Sequence, residues 1–185
     1  MSAALLVIDV QESFRHTTYW QADDLDAYLL QQNKLIAGCR EAGLPIVRVF
    51  HVDIDGNPAF AQDSGHITPL AGSDPQADHT VVKHVHSAMV GTDLDAWLKA
   101  QGIHHLIISG IRTEQCCETT TRNASDMGYT VDYVTEATMT FPMRHANDRL
   151  YSPAEIKERT ELVLAGRFAT VRSVAAVLDQ LPLTA

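Results

Sequence analysis

Apolar residues come in short runs separated by amphipathic stretches, and this alternation sets the fold. Leu5 to Ile8 is a continuous apolar run that ends in Asp9, as expected of a parallel strand buried on both faces. Leu25 to Ala42 has helical spacing through Leu25, Tyr28, Leu29, Leu35, Ile36 and Cys39, and Gly43 follows where a helix C-terminus favours a residue without Cβ. Pro45 to His51 reads as a second strand, which completes a βαβ unit. Asp53 to Asp78 is rich in Asp, Gly, Pro and Ser, and its apolar residues have no period. It is expected to be a long surface loop, functional or mobile.

The alternation continues along the chain. Strands are expected at Thr80 to Lys83, Leu106 to Ser109, Thr130 to Val134 and Ala169 to Val171. Helices are expected at Leu94 to Ala100, Thr113 to Met127, Pro153 to Ala165 and Val174 to Leu181. The whole predicts a single α/β domain over residues 1–185, with a mostly parallel sheet and helices on both faces. Ligands of such sheets bind beyond the carboxyl ends of the strands, which directs attention to Asp9, His51, Lys83 and the segment after Gly110.

Composition narrows the function. The 185 residues are 45% hydrophobic and 20% charged, enough apolar content for a substantial core and too little charge for disorder. The formal net charge of -9 comes without a basic stripe, which argues against nucleic acid or an anionic membrane as partner. The N-terminal apolar run lacks a basic flank and stops at Asp9, so neither a signal peptide nor a membrane span is expected. Cys39, Cys116 and Cys117 form a poor disulfide framework, being odd in number and partly adjacent. A reducing, cytoplasmic setting is the simpler expectation.

Cys116 is the leading chemical candidate. If Thr113 caps the helix, Cys116 lies in its first turn, where free backbone N–H groups and the helix dipole favour an anion. Such a thiol is expected to have a lowered pKa. The same N–H groups can stabilise the oxyanion of a tetrahedral intermediate. The alternative is a buried, inert residue, as most free cysteines are. Asp9 could instead cap a neighbouring helix, and Lys83 could simply be solvated. All three lie at carboxyl ends of strands, however. A carboxylate there can take a thiol proton, and an ammonium favours both anions.

The segment Asp9-Val-Gln-Glu-Ser-Phe14 resembles the Asp-x-Gln-x-x-Phe opening of the isochorismatase-like cysteine hydrolases, relatives of nicotinamidase and N-carbamoylsarcosine amidohydrolase. Lys83-His-Val-His-Ser-Ala-Met-Val-Gly-Thr92 resembles their Lys-x-x-x-Ser-Ala-Phe-x-Gly-Thr segment, with Met89 in place of Phe. Gly110-Ile-Arg-Thr-Glu-Gln-Cys116 resembles Gly-x-x-Thr-x-x-Cys, and Gly128-Tyr129 is also family-like. The similarity runs in order from Ala3 to about Ala137 and fades past Thr138, in a region expected to shape substrate choice.

The resemblance implies a three-layer Rossmann-like sandwich with a six-stranded sheet in the order 3-2-1-4-5-6. It implies hydrolysis of a C–N bond in a small amide, ureido or imide compound through a thioester. In this scheme Cys116 attacks, Asp9 is general base and acid, and Lys83 tunes both. A cis peptide at Ile111–Arg112 would turn the Arg112 N–H toward the oxyanion, beside that of Cys116. A homodimer or homotetramer is also implied. Lys83 lies two strands from Asp9, roughly 10 Å at ~4.8 Å per strand, so its stem must lean over strand two.

Other residues have plainer readings. Phe14, Trp20, His51, Met89 and Phe141 are candidate pocket walls, although such residues are more often core. Arg112 could reach a substrate carboxylate or carbonyl, or point to solvent or a neighbouring subunit. Cys117 and Cys39 read as core. His84 and His86 read as surface histidines, one of which could line the pocket. Metal-bearing relatives place Asp-x-His and a later His after strand two. Here His51-Val-Asp53 reverses that order and His66 has the wrong spacing, so no metal or other cofactor is expected. The competing functions are a metal-assisted, nicotinamidase-like amidase and a non-catalytic thiol or redox module using Cys116 and Cys117.

Overall fold

The protein is described by a computed structural model covering residues 3–181. Among these described residues, eight strands are β1 (Ala3–Ile8), β2 (Ile46–His51), β3 (His79–Lys83), β4 (His105–Ile111), β5 (Thr130–Met139), β6 (Met143–Arg144), β7 (Leu150–Tyr151) and β8 (Thr170–Val171). Five helices are α1 (Leu25–Glu41), α2 (Leu94–Ala100), α3 (Glu118–Asp126), α4 (Pro153–Leu164) and α5 (Val174–Leu178). Six strands form one sheet in the order β3-β2-β1-β4-β5-β8, with every pairing parallel. The expected sixth strand is β8, because β6 and β7 pair only with each other.

β1 is the centre of the sheet because both its faces are apolar. Leu5 and Val7 pack with Leu35, Ile36 and Val177 from α1 and α5. Ala4, Leu6 and Ile8 face the other way, toward Leu94, Leu98, Ala124 and Leu164 from α2, α3 and α4. The two-residue period of a strand thus divides one apolar run between two cores. Strand order reverses between β1 and β4, so the chain opens a crevice at their carboxyl ends.

Gly110 permits the close approach of β4 at that crevice. Its φ is +129°, and a Cβ there would lie 2.0 Å from the Ile8 carbonyl oxygen. No side chain fits that space, so β4 can meet β1 beside Asp9 only with glycine at this position.

Several elements differ from the sequence expectations. β5 runs on to Met139 past Thr135 and Glu136, which break the apolar pattern. It does so because its register against β4 shifts between Ile108 and Gly110. The segment 113–117 is a π-helical turn leading into α3. Thr113 does not cap it: the Thr113 hydroxyl shares a 2.8 Å hydrogen bond with that of Thr138, and the Tyr133 hydroxyl donates to the Thr113 carbonyl at 2.7 Å. The loop after β2 is anchored by buried residues. Its single turn Pro58–Phe60 buries Phe60 edge-on against Phe14 at 5.0 Å, and Leu70 is also buried. The β6–β7 hairpin has strands too short to carry any sequence period.

Gly110→Ala should therefore lose about 3 kcal/mol of stability, combining a strained positive φ with a backbone clash. Urea denaturation checks this; a loss below about 0.5 kcal/mol would mean that β1 and β4 can separate without cost.

Candidate active site

Asp9 takes the position after β1 in a left-handed conformation, φ 52°, which a short polar side chain tolerates better than a branched one. Its backbone N–H donates to Val49 O at 2.9 Å, which ties the turn to β2. Two residues on, the Gln11 side chain clamps the end of β2. Its Oε1 accepts from the His51 N–H at 2.8 Å, and its Nε2 donates to the His51 carbonyl at 3.0 Å and to Ser13 Oγ at 2.8 Å. The glutamine of the Asp-x-Gln motif thus fixes where β2 ends beside Asp9.

Lys83 ends β3 in register with His51 and reaches across β2. Its Nζ donates to Asp9 Oδ2 at 2.7 Å and to Cys116 Sγ at 3.4 Å, and lies 3.2 Å from His51 Nδ1. Lys83 is 0% exposed, Asp9 1% and Cys116 7%. An ammonium so deeply buried must be paired, because an isolated charge there would be too costly. Two of its N–H groups serve the carboxylate and the thiol. The contact with His51 makes Nδ1 the natural acceptor, leaving Nε2 as the protonated nitrogen. The Ile111–Arg112 peptide bond is cis.

The electrostatics depart from the expected lowered thiol pKa. The Cys116 thiol is pushed upward, first by burial and then by the negative charge of Asp9, with Lys83 opposing them. A helix start favours a thiolate only where water or cations outnumber anions, and here a carboxylate shares the enclosure. Burial lowers the Lys83 pKa, but Asp9 and Cys116 raise it by more, so the net shift is upward and the amine stays charged. Burial and then Lys83 push His51 downward, toward the neutral form.

The remaining candidates separate into distinct places. Phe14 and Phe141 belong to the core on the α1 side, with ring centroids 6.1 Å apart. Met89 is buried in the other core, together with Cys116 and Cys117. Trp20 is partly exposed and lies against Phe141 at 5.5 Å. The Arg112 guanidinium packs over Tyr19 at 5.2 Å and Phe141 at 5.7 Å, and pairs with Glu114 at 2.8 Å. Cys117 and Cys39 are wholly buried, and burial pushes the Cys39 thiol up to about 12.

Of two further residues near the thiol, Tyr19 was not singled out from the sequence, and His86 read as a surface histidine that could line the pocket. Tyr19 feels the charge of both Arg112 and Cys116, and its neighbour Trp20 was the only signal for it. His86 is exposed, yet its Nδ1 lies 3.7 Å from Cys116 Sγ.

The metal-ligand candidates do not converge. His51 Nδ1 faces Lys83, Asp53 Oδ2 accepts from the Asn57 N–H at 2.9 Å, and His66 stacks on His16 at 3.6 Å. Among the described residues, no group of three or more His, Cys, Asp or Glu side chains could hold a metal ion. A cleft of about 610 Å³ lies between the β6–β7 hairpin and α4; Glu114 lines it, but Asp9, Lys83 and Cys116 do not. No helix of the described residues is long and apolar enough to cross a membrane.

Comparison with known proteins finds relatives over most of the chain. A family model for the Isochorismatase domain matches residues 3–171. The isochorismatase family protein YrdC of Bacillus subtilis (strain 168) is 28% identical over 179 residues, covering 95% of this chain and 94% of its own length. Nicotinamidase 3 of Arabidopsis thaliana is 32% identical over 159 residues, covering 75% of this chain and 74% of its own. A cysteine hydrolase from Pseudomonas syringae pv. phaseolicola shares the fold with a TM-score of 0.87 at 23% identity, covering 97% of this chain and 92% of that one.

The opposing charges on Cys116 give a signed prediction. Asp9→Asn should speed alkylation of Cys116 by iodoacetamide at fixed pH, since removing the carboxylate lowers the thiol pKa. Lys83→Met should slow it, since removing the ammonium raises that pKa. Fragment-ion sequencing of the peptide Thr113–Arg122 separates Cys116 from its neighbour Cys117. Equal rates in all three proteins would show that neither charge acts on the sulfur.

Proposed function

The chain belongs to the isochorismatase family and is a hydrolase, and from that premise we propose that it cleaves a C–N bond of a small amide, ureido or imide compound with Cys116 as nucleophile. The observation that carries this reading is the single buried ammonium of Lys83, bonded at once to Asp9 Oδ2 and Cys116 Sγ. A structural ion pair has no need of a thiol on its third position, whereas a nucleophile with its base requires this arrangement.

In the proposed reaction Asp9 takes the Cys116 proton as sulfur bonds to the substrate carbonyl carbon. Burial and Asp9 favour the neutral thiol at rest, so proton transfer accompanies attack. Lys83 is bonded to Asp9 beforehand, at 2.7 Å, and offsets the charge that grows on sulfur. The backbone N–H groups of Arg112 and Cys116 receive the oxyanion. When the intermediate collapses, the C–N bond breaks and Asp9 returns the proton to the leaving nitrogen. Water then hydrolyses the thioester. Relatedness to Nicotinamidase 3 supports an amide-type substrate. Tyr19, Trp20 and Arg112 are the partly exposed groups best placed to select it.

A library of primary amides, ureido acids and cyclic imides, assayed with and without EDTA, tests the proposal. We expect hydrolysis that persists in chelator, because His51, Asp53 and His66 have separate partners. Loss of activity restored by zinc would overturn the metal-independent form of the proposal.

Cys116→Ser should cut kcat/KM by about three orders of magnitude or more, and Cys117→Val should cost about 1 kcal/mol of stability while leaving most turnover intact. Cys117 is fully buried, whereas Cys116 Sγ is the sulfur that Lys83 Nζ reaches at 3.4 Å. If inactivation tracks Cys117, the assignment of the nucleophile is wrong by one residue.

A further inference from the structure

We propose that His86 is a second catalytic base, which activates the water that hydrolyses the Cys116 thioester. This rests on the thioester reading above and assigns its second half-reaction to a different residue. Three proton acceptors surround the Lys83–Cys116 pair: Asp9 and His51 at the ammonium, and His86 at the sulfur. Asp9 is buried and held by Lys83 Nζ. His86 is exposed, with Nδ1 3.7 Å from Cys116 Sγ. Water must arrive from the exposed side, where the imidazole is the acceptor at the sulfur.

The position of His86 is fixed on both flanks. Two residues before it, His84 Nδ1 lies 2.9 Å from the Val52 carbonyl. Immediately after it, Ser87 Oγ donates to Asn123 Oδ1 at 2.8 Å, and the Ala88 N–H donates to Thr120 Oγ1 at 3.0 Å. Both partners belong to α3, which continues the turn that carries Cys116. The Ser-Ala portion of the Lys-x-x-x-Ser-Ala segment therefore ties the backbone beside His86 to the helix that continues the nucleophile's turn. Across the site the His51 ring lies parallel to that of His86, with centroids 6.5 Å apart.

The step balances as follows. The imidazole accepts a proton from water while the water oxygen bonds to the thioester carbonyl carbon. The C–S bond then breaks, its electron pair stays on sulfur, and the imidazolium returns the proton to Cys116 Sγ. The product acid releases its own proton to solvent.

The test uses p-nitrophenyl acetate, an activated acyl donor whose nitrophenolate burst reports acylation and whose steady state reports deacylation. His86→Ala and His86→Gln should keep the burst rate within about twofold, lower the steady-state rate by about a hundredfold, and accumulate acetyl on Cys116 by intact mass. Added imidazole should restore turnover to His86→Ala. Circular dichroism should be unchanged, since His86 is exposed. An unaltered steady state, or burst and steady state falling together without imidazole rescue, would overturn the assignment. A wild-type protein that forms no acetyl-Cys116 would overturn the thioester reading itself, and with it the role of His86.

Discussion

The buried ammonium of Lys83 is the constraint on which the site depends. It is 0% exposed and sits between a carboxylate and a thiol that would otherwise compete for one proton. Removing either member of the Lys83–Asp9 pair leaves an uncompensated charge in the interior, typically a loss of about 3–5 kcal/mol. The surroundings follow from that demand. Gln11 fixes the end of β2 that the lysine stem must cross, and Gly110 lets β4 approach Asp9 closely enough to present the turn carrying Cys116.

That arrangement also explains the resting state of the thiol. Near a helix start and a cation, a cysteine is expected to ionise easily. Here burial and Asp9 outweigh the cation, and the proton stays on sulfur. A neutral resting thiol is less exposed to unspecific alkylation and oxidation than a standing thiolate. In the proposed mechanism, activation then waits for a substrate carbonyl that gives the electron pair of sulfur somewhere to go.

Much of this was legible in the sequence. The apolar run before Asp9 marked the central strand, because a strand buried on both faces leaves no polar position to confuse the pattern. The sheet order was implied by the family resemblance, and the motifs carrying that resemblance marked Asp9 and Lys83 at strand ends and Cys116 in the turn after β4. Other features depend on tertiary contacts that no local pattern carries. The continuation of β5 past Glu136 required a register shift against β4. The Thr113 hydroxyl found Thr138 instead of a helix N–H. His84 and His86 read as surface histidines, one of which could line the pocket; only the fold shows that it is the exposed His86 imidazole that lies 3.7 Å from the buried sulfur. The direction of the Cys116 pKa shift was missed for the same reason, since burial is a property of the assembled core.

The central claim is that Asp9 and Cys116 act as one unit organised by Lys83. A double-mutant cycle on p-nitrophenyl acetate turnover measures this most directly. Asp9→Asn and Cys116→Ser should each lower kcat/KM by orders of magnitude, and the double variant should be no worse than the poorer single one, as expected when a nucleophile cannot act without its base. Losses that multiply in the double variant, or a single variant that keeps wild-type turnover, would contradict the account.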